Sequence, residues 1–140
     1  VYYGDESVRP LDIPGTQGDA TLRSFMNWKE MGTDVYRQAV LEHWQKLGRF
    51  RRNHPAIGAG VHQQISATPY VFSRSFQKEA FEDHVVVCLQ LNTGTKNIPV
   101  GPHFPNGTRL RDAYSGKTAT VTEGKITLTS DYMIVLLEKI

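Results

Sequence analysis

The residues best equipped for chemistry stand at the start of the chain. Asp5 and Glu6 directly follow Tyr2, Tyr3 and Gly4. Carboxylates beside aromatic rings at the end of a strand are what sugar-binding barrel enzymes present at their working face. Cleaving a glycosidic bond takes two carboxyl groups facing each other across it. Asp5 and Glu6 are sequence neighbours, and neighbours on a strand point to opposite faces. Tyr2, Tyr3, Asp5 and Glu6 are therefore candidates for contact with a substrate and not a complete catalytic set.

The remaining reactive side chains give less. His43, His54, His62, His84 and His103 show neither the HxH nor the i, i+4 spacing of a metal site, so no metal is expected. Gly58 and Gly60 follow a helix pattern instead of opening one, so they form no phosphate loop and no cofactor is expected. Cys88 lies inside the run HVVVCLQL, where a thiol is buried and its pKa rises. As the single cysteine it can form no intrachain disulfide. No G-x-S-x-G element is present. Asn106-Gly107-Thr108 fits the N-glycosylation pattern, but Asn-Gly is also a turn dipeptide and reads as one here.

Composition narrows the class. At 140 residues with 39% apolar content, the chain can build one sizeable core. Sixteen basic against fourteen acidic side chains leave no field for nucleic acid or a membrane surface. The cluster Arg49-Phe50-Arg51-Arg52 is the one basic concentration and suits the negative end of a helix dipole. No apolar run approaches the roughly 20 residues of a membrane span. The chain opens without a signal-peptide pattern and without methionine, which points to a processed protein or an excised fragment.

The elements that must position these residues change character along the chain. Val1 to Gly4 reads as the tail of a strand, and Ser7 to Gly32, with Pro10, Pro14, Gly15 and Gly18, as a long loop with one helical turn. From Thr33 to His54, the residues Val35, Ala39, Val40, Trp44, Leu47 and Phe50 recur at spacings of three and four, which makes one helical stripe. Thr33 or Asp34 caps it, Pro55 stops it, and His43 and His54 read as parts of a helix covering a core. Thereafter strands are predicted at 61–66, 71–77, 84–91, 108–112, 117–121, 125–128 and 132–139. The runs HVVVCLQL and YMIVLL are expected to be buried on both faces. KTATVTEGKITLTS is expected to be a hairpin with Glu123-Gly124 at its tip and one wet face. Short strands with turn chemistry every eight to twelve residues indicate an antiparallel Greek-key β-sandwich. The aromatics Tyr70, Phe72, Tyr114 and Tyr132 either pack within it or, if exposed, could bind carbohydrate.

The order of these pieces resembles the C-terminal end of the α-amylases of glycoside hydrolase family 13. VYYGDE at 1–6 is similar to the end of the family's eighth barrel strand. TLRSFMNW at 21–28 resembles the R-x-x-M-x-W element, with Phe25 where the family usually has proline. HWQKLGRFRRNHPAIGAG at 43–60 is similar to the last barrel helix and its exit, with the pattern L-x-x-x-R-x-x-x-P-A. LRDAYSGKTATVTEGKITLTSDYMIVLLEKI resembles the family's closing β-sandwich, domain C, with its D-x-Y-S-G turn.

The resemblance implies a mainly β chain: a domain C-type sandwich over residues 58–140, preceded over 1–57 by one long amphipathic helix and a loop-rich remnant of a (β/α)8 barrel. It implies a parent acting on α-1,4-glucans such as starch, glycogen or maltodextrin, with the β domain stabilising or accessory. The family's catalytic Asp, Glu and Asp have no counterpart here, so the chain is expected to be inactive alone. Asn53-His54-Pro55 lacks the Asp of the family's N-H-D element. Trp28, Val40, Trp44 and Leu47 are expected to pack on the missing barrel. Without it the isolated chain would order its β domain and helix, with residues 1–32 disordered, repacked or shared, and its bare helix face would favour self-association. A polysaccharide-degrading parent suggests a periplasmic or extracellular location. The alternatives are a stand-alone carbohydrate-binding module and a purely structural domain packed on the barrel.

Overall fold

The computed structural model describes residues 2–11 and 13–140. Val1, the first residue of the predicted strand tail, lies outside them. The chain divides into two compact units, Val1–Gly48 and Arg49–Ile140.

In the first unit the predicted strand tail is not a strand. Residues 3 and 4 form a turn and Asp5–Ser7 a 3-10 turn. A strand without a neighbour leaves its backbone groups unpaired, and the turn satisfies them locally. The Gly4 carbonyl accepts from the amides of Ser7 and Arg9 at 3.2 and 3.0 Å, and the Asp5 carboxylate accepts from the Tyr2 amide at 3.1 Å. Gly4 permits this because it sits at φ 85°, where a side chain would be strained. The long loop contains a 3-10 turn at Gly18–Leu22 and a four-residue helix, α1 (Trp28–Met31). Helix α2 (Val35–Asn53) follows and runs on into the second unit. Asp34 is its cap: one carboxylate oxygen accepts from the Tyr36 and Arg37 amides at 2.9 and 3.1 Å, as sequence position suggested. The Arg37 amide bond first, with the Arg37 charge adding to it, holds the Asp34 carboxyl below its ordinary value. Pro55 both stops α2 and starts α3 (Pro55–Ala59), where a first-turn proline lacks only a donor that would be unpaired anyway.

The second unit is β. Its strands are β1 (Val61–Ser66), β2 (Tyr70–Lys78), β3 (Phe81–Leu89), β4 (Gly94–Pro99), β5 (Arg109–Asp112), β6 (Thr118–Thr120), β7 (Lys125–Ser130) and β8 (Val135–Lys139). Six make an antiparallel sheet in the order β1-β2-β3-β8-β5-β6, and β4 pairs with β7. One core joins the two sheets. Val71, Val86, Cys88, Leu110, Val135 and Leu137 come from the large sheet, and Ile98, Ile126 and Leu128 from the small one. Val85, Val87 and Leu136 point to the other face of the large sheet and are buried too, so the continuous runs are double-sided as expected. In YMIVLL the burial begins only after Tyr132 and Met133, which are exposed.

Three details differ from the sequence reading. The segment 92–107, read as a connection, contains β4, whose buried positions are Lys96 and Ile98. A lysine at an inward position hides the alternation that marks a strand. The connection read at 78–83 shrinks to Glu79-Ala80, because β2 and β3 pair out to Lys78 and Phe81. The expected hairpin at 117–130 exists only at its tip, as a bridge between Thr122 and Lys125. Beyond the tip β6 joins β5 and β7 joins β4, in different sheets.

Candidate functional site

Of the candidate substrate-contact residues, Tyr2 and Tyr3 are held by a residue that the sequence does not single out, Arg9. Its side chain is buried and reaches across the loop. Nε donates to the Tyr3 carbonyl at 3.2 Å, Nη1 to the Ser24 carbonyl at 3.1 Å and Nη2 to the Leu22 carbonyl at 2.9 Å. Its guanidinium also lies over the Tyr3 ring, 4.1 Å from the centroid, and 5.7 Å from that of Tyr2. The two rings stand 4.8 Å apart. A lone arginine in a loop has no periodic signal, and its role rests on carbonyls thirteen to fifteen positions away. Beneath it, Ser7 Oγ donates to Asn27 Oδ1 at 2.7 Å and Asn27 Nδ2 returns a bond to the Ser7 carbonyl at 2.8 Å.

This clamp fixes exposed Tyr2 and Tyr3 rings beside the exposed Asp5 carboxylate and half-buried Glu6. The Tyr3 hydroxyl is spent on the Ser24 carbonyl at 3.1 Å. What remains for a ligand is two ring faces and two carboxylates on one short turn. That arrangement can contact hydroxyl-rich or aromatic groups, but it does not set one carboxyl opposite another across a bond.

The apolar candidates divide. Trp28 is 71% exposed, and Phe25, which replaces the proline of the R-x-x-M-x-W element, is 97% exposed. Val40, Trp44 and Leu47 on α2 are half-buried.

A second cluster of titratable groups lies in the β unit. His54 Nδ1 is 2.8 Å from Asp83, and Nε2 is 2.6 Å from Glu138. Asp83 also accepts from the Ala56 amide at 2.9 Å, and Glu138 accepts from Arg111 Nε at 2.7 Å. Each ring nitrogen of His54 thus faces a carboxylate, and each carboxylate has a second donor besides. With both nitrogens engaged, His54 ties the α2–α3 junction to the sheet.

Beside it is a cavity of about 410 Å³ lined in part by His84, His103 and Lys139. The His84 and His103 rings stack at 4.5 Å with 13° between their planes, and His103 Nε2 lies 2.9 Å from Ser75 Oγ. Among the described residues no group of three or more His, Cys, Asp or Glu side chains could hold a metal ion. Burial pushes the Cys88 thiol up to about 11, although the Lys96 charge pulls the other way. As a nucleophile it is quenched.

No family model matches the chain. Over 60 residues it is 45% identical to the periplasmic alpha-amylase of Escherichia coli (strain K12), covering 43% of this chain and 9% of that protein. Over 128 residues it is 29% identical to the beta/alpha-amylase of Paenibacillus polymyxa, covering 86% of this chain and 10% of that one. In three dimensions it is similar to an Anoxybacillus alpha-amylase, with a TM-score of 0.64 and 22% identity over 97% of this chain and 28% of the other. The resemblance to α-amylases thus holds in sequence and in fold. The chain spans about a tenth of the curated relatives and just over a quarter of the solved enzyme.

Proposed function

We propose that this chain works as the C-terminal part of an α-amylase-type hydrolase of α-1,4-glucans, with the preceding part of the enzyme supplying the catalytic carboxylates. The β unit is then a stabilising accessory domain, and the first unit is the last stretch of a catalytic barrel. In this reading Tyr2, Tyr3, Asp5 and Glu6 line the outer rim of the substrate path. Arg9 is a positioning residue that holds the two tyrosine rings. Trp28, Val40, Trp44 and Leu47 pack on the barrel.

The observation that carries the proposal is the apolar surface of the first unit. Phe25, Trp28, Val35 and Tyr36 are all exposed within twelve residues of sequence. Burying a side chain of this kind contributes about 1.5–3 kcal/mol, so several exposed ones in so short a stretch favour a covering partner. The amylase relatives support the identity of the cover. A periplasmic or extracellular parent fits the name of the Escherichia coli relative.

Reducing-sugar release from soluble starch tests the proposal. The chain alone is expected to release none, and the chain joined to its preceding coding segment is expected to be active. Release by the chain alone, or none from the joined protein, overturns it.

A further inference from the structure

We propose that the groove at the β3–β4 end of the second unit is a binding site for one or two rings of a neutral, hydroxyl-rich glucan chain. The choice of a glucan rests on the function proposed above; the chemistry of the groove stands by itself. Its volume is about 320 Å³, at the small end of ligand pockets. Thr68, Gln90, Asn92, Thr95 and Asn97 line it with hydroxyls and amides, and no carboxylate does. The one charged lining residue is Lys96, which is buried, with Nζ donating to the Gly94 carbonyl at 3.0 Å and to the Ser130 carbonyl. An anionic ligand would therefore meet no open cation, and an apolar one would strip water from amides without replacing their hydrogen bonds. A polyol supplies a donor and an acceptor in each hydroxyl, which matches amides that offer both.

Three features make this more than a polar dent. The Asn97 amide is oriented, because its oxygen accepts from Thr127 Oγ1 at 2.7 Å and its NH2 group is left to donate. Gln90 sits at φ 61°, a left-handed conformation that costs a non-glycine residue free energy. A glycine would remove that cost and with it the amide that lines the groove. Strained backbone of this kind collects where a side chain must be held for a ligand. Finally, an aromatic cluster follows the groove residues along β2. Tyr70 follows Pro69 of the groove and pairs opposite Leu89, next to Gln90. Its ring lies 5.4 Å from that of Phe72, which in turn lies 4.7 Å from the His62 ring. Ring faces suit the C–H face of a pyranose as amides suit its hydroxyl edge.

The test is an NMR titration of the full chain with maltoheptaose. Shifts are expected at Thr68, Gln90, Asn92, Thr95 and Asn97. The double variant N92A/N97A should keep the wild-type spectrum outside the groove and Thr127 and bind about ten-fold more weakly. Gln90→Gly should unfold at a higher temperature than wild type and also bind more weakly. No shift at these residues, or unchanged affinity in both variants, overturns the site. An active joined enzyme whose β unit gives no such shifts would leave the proposed function standing and remove only this inference.

Discussion

His54 and Glu138 are separated by 84 positions in sequence and by 2.6 Å in space. With Asp83 on its other nitrogen, His54 links the helical entry of the β unit to β3 and β8, neighbouring strands of the large sheet. Carboxylates this shielded need their partner: the His54, Asp83 and Glu138 side chains are all under 15% exposed.

Replacing His54 with alanine should therefore destabilise the β unit by about 1–3 kcal/mol, the usual cost of leaving shielded polar groups without a hydrogen-bond partner. Arg111 continues to serve Glu138 and the Ala56 amide continues to serve Asp83, so the loss stops short of unfolding. Urea unfolding followed by circular dichroism measures it. A change below about 0.5 kcal/mol, the range of an ordinary surface substitution, would show the tie to be dispensable.

The two glycines after α2 should respond oppositely to alanine. A Cβ on Gly60 would fall 2.6 Å from the Ala56 carbonyl oxygen and 2.7 Å from that of Ser75, both backbone atoms that cannot swing aside. Gly60→Ala should cost about 1–3 kcal/mol. On Gly58 the nearest atom is the tip of the Arg51 side chain at 3.8 Å, inside helix α3. There alanine should gain about 0.5–1 kcal/mol from the smaller entropy lost on folding. Equal effects at the two sites, read from the same urea curves, would refute this account of the α3–β1 turn.

Much of this architecture was legible in sequence because it rests on period. The stripe of α2 and the double-sided burial of β3 follow from hydrophobic spacing alone, and the predicted strand at 61–66 coincides with β1, Val61–Ser66. What escaped rests on contacts that have no period. Lys96 occupies an inward strand position and finds carbonyl partners on β4 and β7, so β4 lacks the alternation of a strand in sequence. Arg9 gains its meaning from carbonyls at Leu22 and Ser24. Tyr2 to Gly4 has the composition of a strand, but with no ladder neighbour among the described residues it folds as a turn. The candidate residues Tyr2, Tyr3, Asp5 and Glu6 could be named from their types, whereas the clamp that presents them could not.

The stacked histidines predict a pH response. Burial first, and the adjacent His84 second, hold the His103 imidazole below its ordinary value of 6.5. The folded protein thus takes up this proton less readily than the unfolded chain. In the window between the lowered value and 6.5 the unfolded state carries more protons, and stability rises with pH wherever that is so. The contribution of neutral His103 is complete above about pH 6.5 and declines as the solution is acidified below it. Glu82, 3.7 Å from His84 Nε2, and the cavity's Asp83, His54 and Lys139 face the same space and set the local field. An NMR titration of the His103 ring should show a midpoint below 6.5. On acidification from about pH 7.5 to 5.5, the urea midpoint of the wild type should fall further than that of His103→Gln. A midpoint at or above 6.5, or parallel loss in the two proteins, would refute the assignment.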